Sequence, residues 1–303
     1  MFSIKSKWPH QDSIKVEWNL GKRCNLDCAY CPAEIHDNHS EHTNIMTLFK
    51  TVDELKKIGK PIRLSLTGGE PTVHPDIEDL LEHINKNLDW LNVTTNGLRG
   101  ALWYAQQPVN HYVFSLHFDN KHWSRALENI MLFNTHNDNM ENIPFLVNVM
   151  AHHGYMESVR LAVGQLRQAG IKYAVRRIRW TEGNHDIFDD MRYDGNDLQW
   201  ILNNAATALP NCVITEDDGS ETMMHANDVI KEHRNQFKGW TCSAGIESLM
   251  INWDGDVHRA TCRVGGSLGN IYEGSFIIPS QPITCTRNYC TCAADIPLTK
   301  SKA

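Results

Sequence analysis

The chain has 303 residues, of which 41% are hydrophobic and 21% charged, with a formal net charge of -7. That composition supports a packed core and excludes an intrinsically disordered chain. The acidic balance argues against a nucleic-acid partner, which selects a basic footprint, although Arg176, Arg177 and Arg179 crowd one short segment.

Residues 1–13 hold Lys5, Lys7, Trp8, Pro9 and His10 but no apolar stretch, and no later run reaches spanning length. The expectation is a cytoplasmic protein with no signal peptide and no membrane partner. Strand-like runs follow at Ile14–Leu20, Ile62–Leu66, Leu91–Thr95, Tyr112–Leu116, Phe145–Met150 and Tyr173–Ile178. Amphipathic stretches alternate with them at Thr47–Ile58, Asp76–Asn87, Ala101–Gln107, Trp123–Asn134 and Met156–Ala169, with Gly59 and Gly170 where helix C-caps belong. Six β/α alternations predict an α/β fold with a parallel sheet, open or curled into a barrel. Beyond residue 180 the pattern loosens. Asn196–Ala208 reads as a helix, Ser248–Trp253 and Val257–Ala260 as a hairpin turning at Asp254-Gly255, and the tail is rich in cysteine. This predicts three consecutive blocks: a core over 1–185, a connecting region over 186–239 and a small metal-held domain over 240–303.

Nine cysteines in a reducing compartment read as metal ligands or catalytic groups before disulfides. Cys24, Cys28 and Cys31 have CxxxCxxC spacing directly after the first strand. Three thiolates in one loop can wrap one metal centre; on a four-iron cubane they would leave one iron open, and an open coordination site marks a catalytic metal. Two other readings stand beside this: three small side chains on one helix face, opposed by Asn25, Asp27 and Pro32, and a zinc site completed by His36 or His39. One β/α unit later, Gly68-Gly69-Glu70-Pro71 ends the second strand. Its glycines permit close approach to the backbone, and its carboxylate suits an ammonium group.

A CxxxCxxC loop with an aromatic, Tyr30, before its last cysteine and a Gly-Gly-Glu-Pro turn one unit on resembles the radical S-adenosylmethionine superfamily, over about residues 14–180. The resemblance implies a partial (β/α)6 TIM-type barrel. It implies a [4Fe-4S] cluster on Cys24, Cys28 and Cys31, with S-adenosylmethionine on the open iron and its amine near Gly68, Gly69 and Glu70. Strand-end residues Thr95, Asn96, Ser115, His117 and Asn148 are candidate cofactor contacts, Ser115 and Asn148 for ribose and carboxylate. Arg176 or Arg179 is expected to pair with the carboxylate, and Tyr30 and residues 178–180, Trp180 among them, to meet the adenine. The implied chemistry is reductive cleavage to a 5′-deoxyadenosyl radical that takes a hydrogen atom from a substrate, with electrons from a flavodoxin- or ferredoxin-type donor.

The later cysteines, Cys242, Cys262, Cys285, Cys290 and Cys292, resemble the SPASM/twitch extension of such enzymes. With five thiols the expectation is the smaller form, carrying one auxiliary iron–sulfur cluster, of the [4Fe-4S] type, on Cys242, Cys262 and two of the last three. A structural tetrathiolate zinc is the alternative. Cys212 is either a buried apolar residue or a catalytic hydrogen-atom donor. The expected substrate is a small molecule or sugar. A ribosomal peptide is the runner-up, with the segment before the first strand read as too short for a leader-binding domain. A zinc-stabilised binding protein is the non-enzymatic reading.

Overall fold

The structure is a computed structural model that describes residues 2–7, 13–138, 142–178, 193–204 and 210–302. Its elements are β1 (Phe2–Ser6), β2 (Ile14–Asn19), α1 (Ile45–Lys56), β3 (Ile62–Thr67), α2 (Ile77–Asn87), β4 (Trp90–Thr95), α3 (Ala101–Gln106), β5 (His111–His117), α4 (Trp123–Asp138), β6 (Phe145–Ala151), α5 (Met156–Gln168), β7 (Tyr173–Arg177) and α6 (Gly195–Asn204). There follow β8 (Cys212–Glu216), β9 (Glu221–Met224), α7 (Ala226–Lys231), β10 (Trp240–Cys242), β11 (Ser248–Ile251), β12 (Asp256–His258), β13 (Ser267–Asn270), β14 (Ile283–Thr284) and β15 (Lys300–Lys302). The six expected strands and five expected helices of the core all form.

The chain divides into two compact units. One comprises Met1–Asn19, Met46–Leu64 and Leu209–Ala303, the other Leu20–Ile45 and Ser65–Ala208. This division interleaves stretches that the sequence suggests as consecutive blocks. The cysteine-rich tail shares a unit with β1, β2, β8 and β9.

In the unit holding the first cysteine loop, β4, β5, β6 and β7 pair in parallel, with the end of β3 next in order. Alternation fixes the two faces of this sheet. Tyr112, Phe114 and Leu116 are buried, while His111, Ser115 and His117 point the other way. The buried face packs on the helices through an aromatic cluster: Tyr104 of α3 lies 5.1 Å from Phe114, and Phe133 of α4 lies 5.3 Å from Phe114 and 5.2 Å from Phe145. Helix α5 buries Met156, Val159, Ala162, Val163 and Leu166, one stripe at helical spacing. It ends at Gly170 (φ 68°), where Gly170 N donates to Arg167 O and Ile171 N to Leu166 O, a glycine cap as expected.

The other unit holds two sheets, one in the order β13-β12-β11-β2-β3 and one in the order β14-β10-β15-β1-β8-β9. The expected hairpin is β11–β12, which turns at Gly255 (φ 84°). The second sheet was not foreseen. Its pairings, Ile4 with Ile214 and with Lys300, join residues more than two hundred positions apart and leave no local signal. Ile4, Ile214, Val229, Phe237 and Ile296 form its core. Among the described residues no helix is long and apolar enough to cross a membrane.

Candidate active site

The loop that carries Cys24, Cys28 and Cys31 is hung from the end of β3 by main-chain bonds. Gly69 N donates to Gly21 O (2.7 Å) and Glu70 N to Arg23 O (2.9 Å). A Cβ on Gly69 would lie 2.3 Å from both Arg23 O and Lys22 O, and one on Gly68 2.7 Å from Gly21 O. The two glycines therefore admit the cysteine loop itself to the backbone. Inside the loop, Cys24 N donates to Asp37 O and Cys31 N to Cys28 O. The His36 ring nitrogen Nε2 bonds Leu26 O at 2.7 Å, so this buried histidine braces the loop.

Glu70 is the hub beneath it. The residue is 4% exposed, and its carboxylate accepts from Thr72 N, Thr72 Oγ1, Thr95 Oγ1 and Asn96 N, at 2.6 to 3.0 Å. Burial raises its pKa, and these donors oppose the rise. Asn96 passes the connection on, since its Nδ2 donates to Asn25 Oδ1 at 2.6 Å. Thr95 faces the helices, its hydroxyl also 3.1 Å from Tyr104 Oη, and does not share the face of Ser115.

On the face away from the helices, Ser115 sits opposite Asn148, and Asn148 Oδ1 accepts from Arg176 Nε at 3.0 Å. His117, two residues beyond Ser115, hydrogen-bonds through Nδ1 to the Tyr30 hydroxyl, and the rings lie near-parallel with centroids 6.0 Å apart. Burial pushes His117 down to about 4, so its ring is neutral at neutral pH. Tyr30 thus meets His117, and Ser115, Asn148 and Arg176 lie together on the same face. Arg179 and Trp180 lie outside the described residues.

The sequence reading missed Asp119. Its Oδ2 accepts from Ala29 N at 2.9 Å, between the second and third cysteines, and its charge helps to raise the Cys28 and Cys31 thiols. The signal was present, because Asp119 stands just past the end of β5, where barrel sites collect. Burial is the main cause at all three cysteines. Cys24 and Cys31 are raised to about 11, and Cys28 is raised too, so each metal-free thiol is protonated at neutral pH.

All three are free cysteines. Among the described residues no three His, Cys, Asp or Glu side chains converge closely enough to chelate a single ion. Thiols spread along a loop fit a cluster whose irons stand at separate corners better than a mononuclear zinc. Residues 18–149 match the sequence profile of the Radical SAM superfamily. The chain carries a radical SAM domain.

Relatives of this domain include the GTP 3′,8-cyclase of Clostridium perfringens (strain SM101 / Type A), 41% identical over 102 residues, which are 31% of this chain and 30% of the cyclase. The Fe-coproporphyrin III synthase of Methanosarcina barkeri is 34% identical over 83 residues, 27% of this chain and 21% of the synthase. The chain spans less than a third of the length of either. Among solved structures, native anSMEcpe with bound AdoMet and Kp18Cys peptide superposes with a TM-score of 0.59 at 17% identity, over 87% of this chain and 79% of that one. Streptococcus suis SuiB bound to precursor peptide SuiA gives 0.56 at 15% identity, over 87% and 63%. These similarities show the fold, the partial barrel of radical SAM proteins.

The other unit gathers the remaining thiols. Cys242 is buried beside Cys262, and Cys285 and Cys290 pack on the neighbouring core. Cys285 N donates to Trp240 O, Cys290 N to Asn235 O, and Cys262 N to Asp295 Oδ2 (3.3 Å). Burial is the main cause that raises Cys242, Cys262 and Cys290, with smaller contributions from Cys285 at Cys242, from Cys242 and Cys285 at Cys262, and from Cys292 and Cys262 at Cys290. Cys292 is raised to about 11. Free thiols, four of them near enough to Asp295 to feel its charge, are a donor set suited to an iron–sulfur cluster. Cys212 belongs instead to the apolar core, fully buried among Ile4, Ile214 and Phe237, and burial pushes its thiol up to about 12. That placement agrees with the apolar reading of Cys212 and gives it no open path to a substrate.

Proposed function

We propose that this protein is a radical SAM enzyme in which Cys24, Cys28 and Cys31 hold a [4Fe-4S] cluster, with a second cluster on the later cysteines, and that it oxidises or rearranges a small hydroxylated molecule. One observation carries the reading: the three-thiol loop is suspended from Gly69, Glu70 and Asn96 within the stretch that matches the superfamily. When bound, cluster and S-adenosylmethionine supply one-electron cleavage of the sulfonium bond to a 5′-deoxyadenosyl radical that removes a substrate hydrogen atom.

The chain's own residues do the placing. Glu70 and Asn96 fix the loop. Tyr30 and His117 offer a flat, neutral surface for a purine ring. Ser115 and Asn148 present hydrogen-bonding groups for a ribose, and Arg176, steered by Asn148, presents a charge for a carboxylate. Electrons would come from a flavodoxin- or ferredoxin-type donor. A second reading, a peptide substrate, is favoured by the peptides bound in the anSMEcpe and SuiB structures of the same fold.

The test is anaerobic reconstitution with iron and sulfide, reduction with dithionite and addition of S-adenosylmethionine. The account expects 5′-deoxyadenosine from the native chain and none from Cys28→Ala. No product from iron-loaded native protein overturns it. Hydrogen transfer from deuterated polyols or peptides into 5′-deoxyadenosine then separates the two substrate classes.

A further inference from the structure

Lys300 is 2% exposed, an unusual place for a lysine near the end of a chain. All three of its ammonium protons are spent on main-chain carbonyls: Asp295 O at 2.6 Å, Ile296 O at 3.0 Å and Leu298 O at 3.1 Å. The ammonium also lies 5.2 Å from the centre of the Phe237 ring. An ammonium has no lone pair to ligate a metal, and its N–H groups are all committed to carbonyls, so what it brings is charge. Among the described residues no carboxylate lies within ion-pair distance of it. A buried ammonium without a close counter-ion is costly, and carbonyl dipoles compensate only part of that cost.

The buried Asp295 carboxylate, outside ion-pair distance, feels this charge, and the cysteines share it by position. In the sheet Lys300 stands directly opposite Cys242, so the two side chains share a face. The turn that it grips begins at Cys292, whose carbonyl accepts from Asp295 N and Ile296 N. Lys300 therefore clamps the segment bearing Cys292 against the strand bearing Cys242, with its charge held among thiols.

We propose that Lys300 is a built-in counter-charge for the second cluster, offsetting its thiolates and raising its reduction potential. This rests on the reading of Cys242, Cys262, Cys285, Cys290 and Cys292 as cluster ligands. Thiolate ligation makes such a centre anionic, and the added electron increases that charge. A fixed cation in a medium of low polarity therefore favours the reduced state.

The experiment uses the full chain with Cys24, Cys28 and Cys31 changed to alanine, so that only the second cluster reports. Iron content, circular dichroism and a dithionite titration followed by paramagnetic resonance are compared for Lys300, Lys300→Arg, Lys300→Gln and Lys300→Met. The expected result is that arginine retains the native midpoint. The neutral variants should need at least tenfold more reducing conditions, about 59 mV for a one-electron couple, or lose the cluster while keeping their circular dichroism. Neutral variants with full iron and an unchanged midpoint overturn the proposal and leave the cluster standing. Neutral variants that fail to fold without iron also overturn it, by reducing Lys300 to a structural role. No iron in the parent with Lys300 intact sinks the reading of the second cluster itself.

Discussion

Asn96 donates from Nδ2 to Asn25 Oδ1 at 2.6 Å, and this bond links the end of β4 to the loop between the first and second cysteines. The main-chain N–H of Asn96 is held by Glu70, so the asparagine cannot drift. A side-chain bond of this kind contributes about 1–2 kcal/mol. Asn96→Ala is expected to fold, yet to give up the iron of the first centre roughly five- to thirtyfold more readily to a chelator. Iron held by the later cysteines should be unaffected.

The cradle at Gly69 has no slack. A methyl group there meets two carbonyl oxygens at 2.3 Å, and main-chain atoms do not yield as a flexible side chain does. Gly69→Ala should displace Lys22 and Arg23, detach the cysteine loop and abolish S-adenosylmethionine binding by calorimetry. Gly164→Ala, where an added Cβ meets nothing within 4 Å, is the matched control and should bind normally.

Glu70 accepts four hydrogen bonds, so an amide in its place must turn an N–H toward another donor. Glu70→Gln is expected to destabilise the protein by about 2–3 kcal/mol, seen as a melting temperature lowered by several degrees in the metal-free chain. An unchanged melting temperature would remove Glu70 from its place as the hub.

These residues show what the sequence made legible. Period-2 runs such as Tyr112–Leu116 and glycine caps such as Gly170 are local signals, and the core elements form where they point. The spacing of Cys24, Cys28 and Cys31 was equally plain. Glu70 was expected near an ammonium group, and that four of the chain's own donors also hold it was not legible, because two of them, from Thr95 and Asn96, come from the next strand. The strand at Phe2–Ser6 and the buried Lys300 were illegible for the same reason. Each is fixed by partners remote in sequence: Ile4 pairs with Ile214 and Lys300, more than two hundred positions away, and Lys300 pairs also with Cys242, whereas a lysine among polar neighbours reads locally as solvated.

His117 supplies a pH signature. Burial lowers its pKa from 6.5 to about 4, with Asp119 opposing and His36 adding to the shift. The unfolded chain therefore binds a proton on this ring between those values while the folded chain does not. Stability falls as pH drops through 6.5, by up to about 3 kcal/mol at pH 4, and is fully present above 6.5. In metal-free protein, His117→Asn should flatten that part of the profile measured by urea unfolding at pH 7, 5.5 and 4.5. An identical slope in both proteins would show that His117 is protonated in the folded state.

The account stands on three thiolates that leave one iron free to bind a sulfonium nucleotide. Paramagnetic resonance of the reduced protein, with and without S-adenosylmethionine, tests this most directly. The expected result is a signal that changes on addition in the native chain and in Cys242→Ala, and no such change in Cys28→Ala. A reduced, iron-loaded native protein whose spectrum is indifferent to S-adenosylmethionine would contradict the account.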